Sequence, residues 1–401
     1  MKRKVPLLCI SIILLVFITG CWSRRELNDL AIAVGIGIDK SGDQYKVSVQ
    51  VVDPSEVAGK KLSGLAPVIM YQATGKTIFE ALRKMTTISP RKIYLAHLRI
   101  LVLGESLARE GIKDALDFMS RDPEIRNDFF IVVAKETNAE DTLKILTHLE
   151  KVPAVKLSSS LVTSQKSWAP TTTVKLDELI SDLVSEGKHP VLTGLQVTGN
   201  QKIGQTKENI EAVRSPAELK FTELAVFKQD KLIGWLSEIE GKAYNYIHNH
   251  VSNTVSYVTC PHGGRLTLEI LSSETKVKGR IRNEQPHIDI EVRIEANIGE
   301  VQCHLDLTKT ETIAEVEKWT NQRIEEIIET TINKVKEDFK VDIFGFGDVI
   351  HRSNPQAWKE LKEHWDRTFV SMPVHVKVST TIRQFGKVSN SFMEEMKESN
   401  E

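Results

Sequence analysis

The sequence predicts an α+β protein of three domains, each a mixed or antiparallel β-sheet covered by helices, behind an N-terminal export leader. Three observations carry this. Segments with strand-like period-2 alternation are interspersed with segments of helical period along most of the chain. Hydrophobic residues make up 41% and charged residues 27% of the 401, ordinary globular composition and enough length for two or three cores. A stretch rich in Ser, Thr and Pro after Val152-Pro153, "VPAVKLSSSLVTSQKSWAPTTT", reads as a boundary.

The leader comes first. Lys2, Arg3 and Lys4 precede an apolar run from Val5 to Phe17 that closes on Ile18, Thr19 and Gly20 before Cys21. A cationic flank, a short apolar core and small residues at its end make an export signal. The run is shorter than the roughly 20 residues a membrane span needs, and Pro6 shortens its helix further. Either an ordinary signal cut or a lipoprotein cut fits that pattern. Ile18-Thr19-Gly20-Cys21 resembles a bacterial lipobox, which implies cleavage between Gly20 and Cys21, with a diacylglyceryl thioether and N-acylation on Cys21. The two chains of the diacylglyceryl group alone then hold the protein to its membrane, since a single chain gives only reversible binding. The chain carries 53 Lys and Arg against 54 Asp and Glu. Losing the leader leaves it slightly acidic, with no charge excess to recruit nucleic acid or an acidic lipid surface.

Residues 21–152 form the expected N-terminal domain. Ile32, Val34, Ile36 and Ile38 define one strand face, Lys40 to Asp43 a turn, and Tyr45, Val47, Val49 and Val51 the return strand. The other face of the first strand is Ala31, Ala33, Gly35 and Gly37, small enough for a helix to pack closely. "GIGID" is not a dinucleotide fingerprint, because Lys40 stands where the third glycine belongs and a turn follows where a helix must. Beyond a Gly/Pro/Ser-rich loop, strands are expected at Val68–Thr74, Leu98–Leu103 and Phe129–Ala134. Helices are expected at Thr77–Ile88, Ser106–Met119 and Ala139–Leu146.

Residues 153–240 make a small middle domain. It has a helix at Val174–Val184, a strand at Val191–Val197, a polar surface loop, and a hairpin over Leu219–Trp235 turning at Gln229-Asp230. Residues 241–390 form the C-terminal domain. Its strands are Thr254–Val258, Leu266–Leu271 and Ile288–Ala296, followed by a long helix over Thr310–Phe339 and a closing strand with Val374, Val376 and Val378 facing in. The apolar stripe of that helix is too wide for a coiled-coil seam and fits a sheet-covering helix. Residues 391–401 are a polar tail.

Five segments together, "GCWSRRELNDLAIAVGIGID", "GKTIFEALRK", "YLAHLRILVLGESLAREGIKDALDFMSRDPEIR", "AVFKQDKLIGWLSEIEGKA" and "VDIFGFGDVIHRSNPQAWKELKEHW", resemble the Ger(x)C lipoproteins, the C subunits of spore nutrient-germinant receptors. The resemblance spans nearly the whole mature chain. It implies an endospore-forming bacterium and a non-enzymatic, lipid-anchored protein on the extracytoplasmic face of the inner spore membrane. It also implies two multipass partners, the A and B subunits.

No His-Glu-x-x-His site, Gly-x-Ser-x-Gly elbow or Walker loop occurs, and no cofactor is expected. One set has metal-ligand types: Cys260 with His262 and Cys303 with His304. Strand alternation sends Cys303 and His304 to opposite faces, which argues against a metal. Export makes a Cys260–Cys303 disulfide chemically possible without requiring it. Arg24, Arg25 and Glu26 follow the anchor and fit either a solvated helix start or a contact with headgroups or a partner. Asp39 is expected in a turn. Arg121, Asp122, Glu124 and Arg126 fit an interdomain ion-pair cluster or a receptor contact. Gly345 and Gly347 are expected to supply a backbone turn, and Trp358 and Trp365, seven apart, to share one helix face in the core. The alternative function is an extracytoplasmic solute-binding lipoprotein, which needs a deep pocket between domains with convergent polar groups.

Overall fold

The computed structural model describes residues 29–58, 65–261, 263–303 and 305–384. The leader, the Gly20/Cys21 cleavage and lipidation position, Arg24 to Glu26, His262, His304 and the polar tail lie outside the described residues.

In chain order the first strands are β1 (Leu30–Ser41), β2 (Gln44–Val52), β3 (Val68–Gly75), β4 (Lys92–Tyr94), β5 (Ile100–Gly104) and β6 (Phe130–Ala134). Next come β7 (Val191–Gly199), β8 (Ala217–Lys228) and β9 (Lys231–Leu236), and these nine form one sheet. Its order is β3-β2-β1-β5-β6-β7-β8-β9, with β4 pairing β1. The central pairs β1/β5, β5/β6 and β6/β7 are parallel, and the flanks are antiparallel. β5 and β6 read ILVLG and FIVVA and are buried along nearly their whole length, as strands covered on both faces must be. Leu101, Leu103, Ile131 and Val133 pack under the helices Ile78–Lys84, Lys113–Arg121 and Leu176–Val184. Ile100, Val102 and Val132 pack on the other side, under Ala139–Leu143 and Pro153–Ser167.

The strands β10 (Thr254–Thr259), β11 (Arg265–Arg282), β12 (Gln285–Val301) and β13 (Val374–Gln384) make a second sheet in that order, with β12/β13 parallel. The helix Thr310–Lys334 lies on it through Val316, Ile324, Ile328 and Ile332, all buried. The β13 edge is closed by that helix: Glu325 accepts the N–H of Val378 (2.8 Å), Asn321 that of Thr380 (2.7 Å) and Glu317 that of Ile382 (2.9 Å). Acceptors four residues apart on one helix face meet alternate donors of a strand, which blunts an edge open to pairing with another chain.

The α+β class stands, and the differences are local. The strands of 153–240 form no sheet of their own. β7 hydrogen-bonds directly to β6 (Val132 beside Thr193), and Val191, Leu224, Val226 and Leu236 share a core with the second sheet. The face of β1 changes partway, because a bulge between Ala33 and Gly35 shifts the register. Ile32 and Val34 therefore pack on one side of the sheet and Ile36 and Ile38 on the other. Gly35 and Gly37 do admit helices: a Cβ on either would meet Ala154 or Ala139 at 3.0 Å. The Ser/Thr/Pro stretch is a helix, Pro153–Ser167, with Pro153 in its first turn and Leu157 and Leu161 buried one turn apart. The expected helix Ser106–Met119 breaks at Gly111, where Ile112 donates its N–H to the Asp230 carbonyl (3.0 Å) and anchors the β8–β9 turn.

Candidate functional site

The densest polar construction among the described residues lies where the two sheets meet. After the helix Thr310–Lys334 and a π-helical turn, Val335–Phe339, the chain reverses at Lys340, whose φ is 55°. It then buries Asp342 completely. Oδ1 of Asp342 accepts the N–H groups of Phe344 and Gly345, each at 2.9 Å. Oδ2 accepts the N–H of Gly347 at 2.8 Å and Nε1–H of Trp365 at 3.0 Å. One side chain thus shapes the whole Phe-Gly-Phe-Gly turn. Burial pushes its pKa up to about 6, and the N–H donors pull against that rise. The Asp342 carbonyl accepts the His189 N–H (2.7 Å) from the loop between the helix Leu176–Val184 and β7.

Around this hub the two parts of the chain interlock. Ser185 Oγ donates to Asp348 Oδ1 (3.0 Å), and Lys362 pairs with Glu186 (3.0 Å). Asp366 meets His189 Nε2 (3.3 Å) and Lys228 Nζ (2.9 Å). The hydrogen bond to His189 leads in holding the Asp366 carboxyl below its usual range. Beneath them, His248 Nε2 lies 3.3 Å from the Ile343 carbonyl. Burial, then the charge of Lys188, keeps that imidazole well below its ordinary pKa, so it sits neutral and donates. The arrangement holds two loops in one relative position.

The expected site residues fall elsewhere. Cys260, just after β10, and Cys303, just after β12, are joined in a disulfide with Cα atoms 6.3 Å apart. The bond ties the β10–β11 turn to the point where the chain leaves the sheet. Among the described residues no three His, Cys, Asp or Glu side chains gather around a metal position. The Arg121–Arg126 cluster is locally paired: Arg121 with Asp117 (2.8 Å), Glu124 with Lys92, Arg126 with Asp128 (3.0 Å). These pairs among the described residues all lie within the first sheet's part of the chain. Asp39 is not in a turn. It is buried in β1 and accepts the N–H groups of Ala139 (2.8 Å) and Glu140 (3.0 Å), completing the first turn of the helix Ala139–Leu143. Gly345 does turn the chain, at φ 72°. Trp358 and Trp365 are buried with rings edge to face at 5.1 Å, but on successive short helices, Pro355–Leu361 and Trp365–Ser371.

A cavity of about 400 Å³ opens at the end of the first sheet, away from the junction, lined by Pro67, Leu146 and Ile210 with His148, Lys151 and Lys207. Those three polar residues are exposed at its rim, and buried Glu56 also lines it.

Residues 23–197 match the family described as "Spore germination protein N-terminal domain", and residues 222–386 match "Spore germination B3/ GerAC like, C-terminal". Spore germination protein KC of Bacillus subtilis (strain 168) is 33% identical over 409 residues, covering 99% of this chain and all of that one. The chain belongs to the Ger(x)C family of spore germination proteins. Another relative, the putative spore germination protein YfkR of the same organism, is 27% identical over 96% of this chain and 98% of its own. The crystal structure of the GerBC protein is similar in fold, with a TM-score of 0.54 at 21% identity, over 87% of this chain and 96% of that one. Within this Ger(x)C chain the junction draws on both matched parts: Ser185, Gly187 and His189 come from the first, and Asp342, Asp348 and Trp365 from the second.

Proposed function

We propose that this Ger(x)C protein is a lipid-anchored, non-enzymatic subunit of a spore nutrient-germinant receptor, held at the extracytoplasmic face of the inner spore membrane through acylated Cys21. Its partners in this reading are the A and B membrane subunits. The observation that carries it is the full-length likeness to spore germination protein KC, combined with Ile18-Thr19-Gly20-Cys21 at the end of the leader. No described helix is long and apolar enough to cross a membrane; in this reading the lipid holds the protein there. Two acyl chains confine the folded part to a thin layer and raise its effective concentration near the embedded subunits, where modest contacts hold a complex.

Two measurements test this. The N-terminal peptide from wild-type membranes should begin at Cys21 with acyl mass added, and Cys21→Ala should lack it. The protein should co-purify from spore membranes with the A and B subunits. An unmodified Cys21 overturns the anchor, and recovery free of both subunits overturns the assembly role.

A further inference from the structure

The anchor reading, on which this inference rests, limits which surface can touch the bilayer. From Cys21 to Leu30 the chain advances nine residues, at most about 32 Å when fully extended. β1 has 12 residues, so the turn at its far end stands roughly 36 Å beyond Leu30. Leu30 therefore lies within about 32 Å of the membrane, and the molecule cannot stand on the Gly42-Asp43 turn.

Strand register decides what else lies at that end. β4 runs parallel to β1 with Lys92 beside Leu30, so the residues before Lys92 project past the start of β1, toward the incoming tether. At the tip is Ile88, 59% exposed. The loop bearing it is firmly held: the Ser89 N–H donates to the Met85 carbonyl (2.8 Å), and Ser89 Oγ to the Arg91 carbonyl (2.7 Å), with Met85 fully buried. β2 is antiparallel to β1 and ends at the same pole, where the short helix Pro54–Ala58 leaves Val57 47% exposed. β5 is parallel but starts beside Gly35, and Arg99 donates its N–H to the Val34 carbonyl (2.8 Å), roughly 13 Å along β1 from Leu30 and away from this pole. Arg91 makes no ion pair with a described residue, and its charge helps hold the Asp53 carboxyl below its usual range. Its neighbour Lys92 is paired with Glu124.

We infer that this pole of the first sheet is the membrane-facing surface: Ile88 enters the headgroup boundary, and the guanidinium group of Arg91 meets a phospholipid phosphate. An aliphatic tip beside a free cation suits a phospholipid interface, where the side chain leaves water and the guanidinium meets a phosphate. Because the tether holds the surface in place, a small contact suffices to orient the molecule, and the junction between the two sheets then stands at a set height above the bilayer.

The test uses the acylated protein in vesicles of phosphatidylethanolamine and phosphatidylglycerol, after the N-terminal peptide mass has shown lipid on Cys21. An environment-sensitive nitrobenzoxadiazole group is placed on Ile88→Cys or, as a control at the opposite pole, on Asp43→Cys, and nitroxide-labelled headgroups act as quencher. Position 88 should be quenched at least about threefold more strongly than position 43, as expected for a side chain at the headgroup boundary, and its emission should shift to the blue. Equal quenching at the two positions on acylated protein overturns the inference and leaves the anchor standing. Quenching at 88 that appears only when the other receptor subunits are added assigns the contact to protein and also overturns it. A wild-type Cys21 without lipid removes the anchor and this inference together.

Discussion

Gly187 and Gly347 meet backbone to backbone: a Cβ on Gly347 would stand 2.5 Å from Gly187 Cα, and one on Gly187 would stand 2.7 Å from the Gly347 carbonyl carbon. The atoms in the way are main chain, which cannot swing aside as a flexible side chain does. Gly347→Ala should therefore cost about 1–3 kcal/mol through overpacking and lower the melting temperature by several degrees. Gly299→Ala, with its nearest obstacle at 3.7 Å, is the control and should be close to neutral. Calorimetry of the two variants decides; equal melting temperatures would mean the loops separate freely.

Asp342 makes the junction sensitive to pH. Its folded-state pKa, about 6, lies above the unfolded value near 3.9. Its contribution is then fully present below about pH 4 and is lost as pH rises through 6, an effect on the order of 3 kcal/mol. Asp342→Asn should flatten the dependence of stability on pH between 4 and 6. It should also destabilise the protein at pH 7 by about 2–4 kcal/mol, because the amide nitrogen faces N–H donors and leaves them unpaired. Denaturant unfolding at pH 4, 5, 6 and 7 measures both effects.

Closure of the β13 edge predicts an assembly phenotype. Glu317→Ala, Asn321→Ala and Glu325→Ala should each cost about 0.5–1.5 kcal/mol. The triple variant should self-associate, because three strand donors are then open to another chain. Sedimentation across a concentration series tests this. A triple variant whose apparent mass stays at the wild-type value would remove protection from the helix's role.

The Cys260–Cys303 bond closes a loop with a sequence separation of 43. Reduction, or Cys260→Ser with Cys303→Ser, should lower stability by about 2–4 kcal/mol by freeing the unfolded chain. Peptide mapping without reductant should recover the two cysteines in one cross-linked species. Two separate thiol peptides from freshly prepared protein would refute the bond.

Local physics left much of this protein readable in its sequence. The proposed export signal rests on sequence alone, on the cationic flank, the short apolar run and Ile18-Thr19-Gly20-Cys21, because such signals act as unfolded segments and need no tertiary context. Period-2 and period-3.6 patterns located most strands and helices, and the stripe of Ile324, Ile328 and Ile332 marked the helix that covers the second sheet. Composition could not separate a linker from the helix Pro153–Ser167, because serine and threonine occupy its exposed turns while Leu157 and Leu161 supply the burial. Alternation alone could not foresee the bulge after Ala33, which exchanges the faces of β1. Only tertiary structure joined β7 to β6, brought Cys260 to Cys303, gave Asp39 the N-terminus of a helix a hundred residues away, and set Gly187 against Gly347 around Asp342. Each of these depends on which distant segments come to share a surface, and a single chain's periodicity carries no information about that.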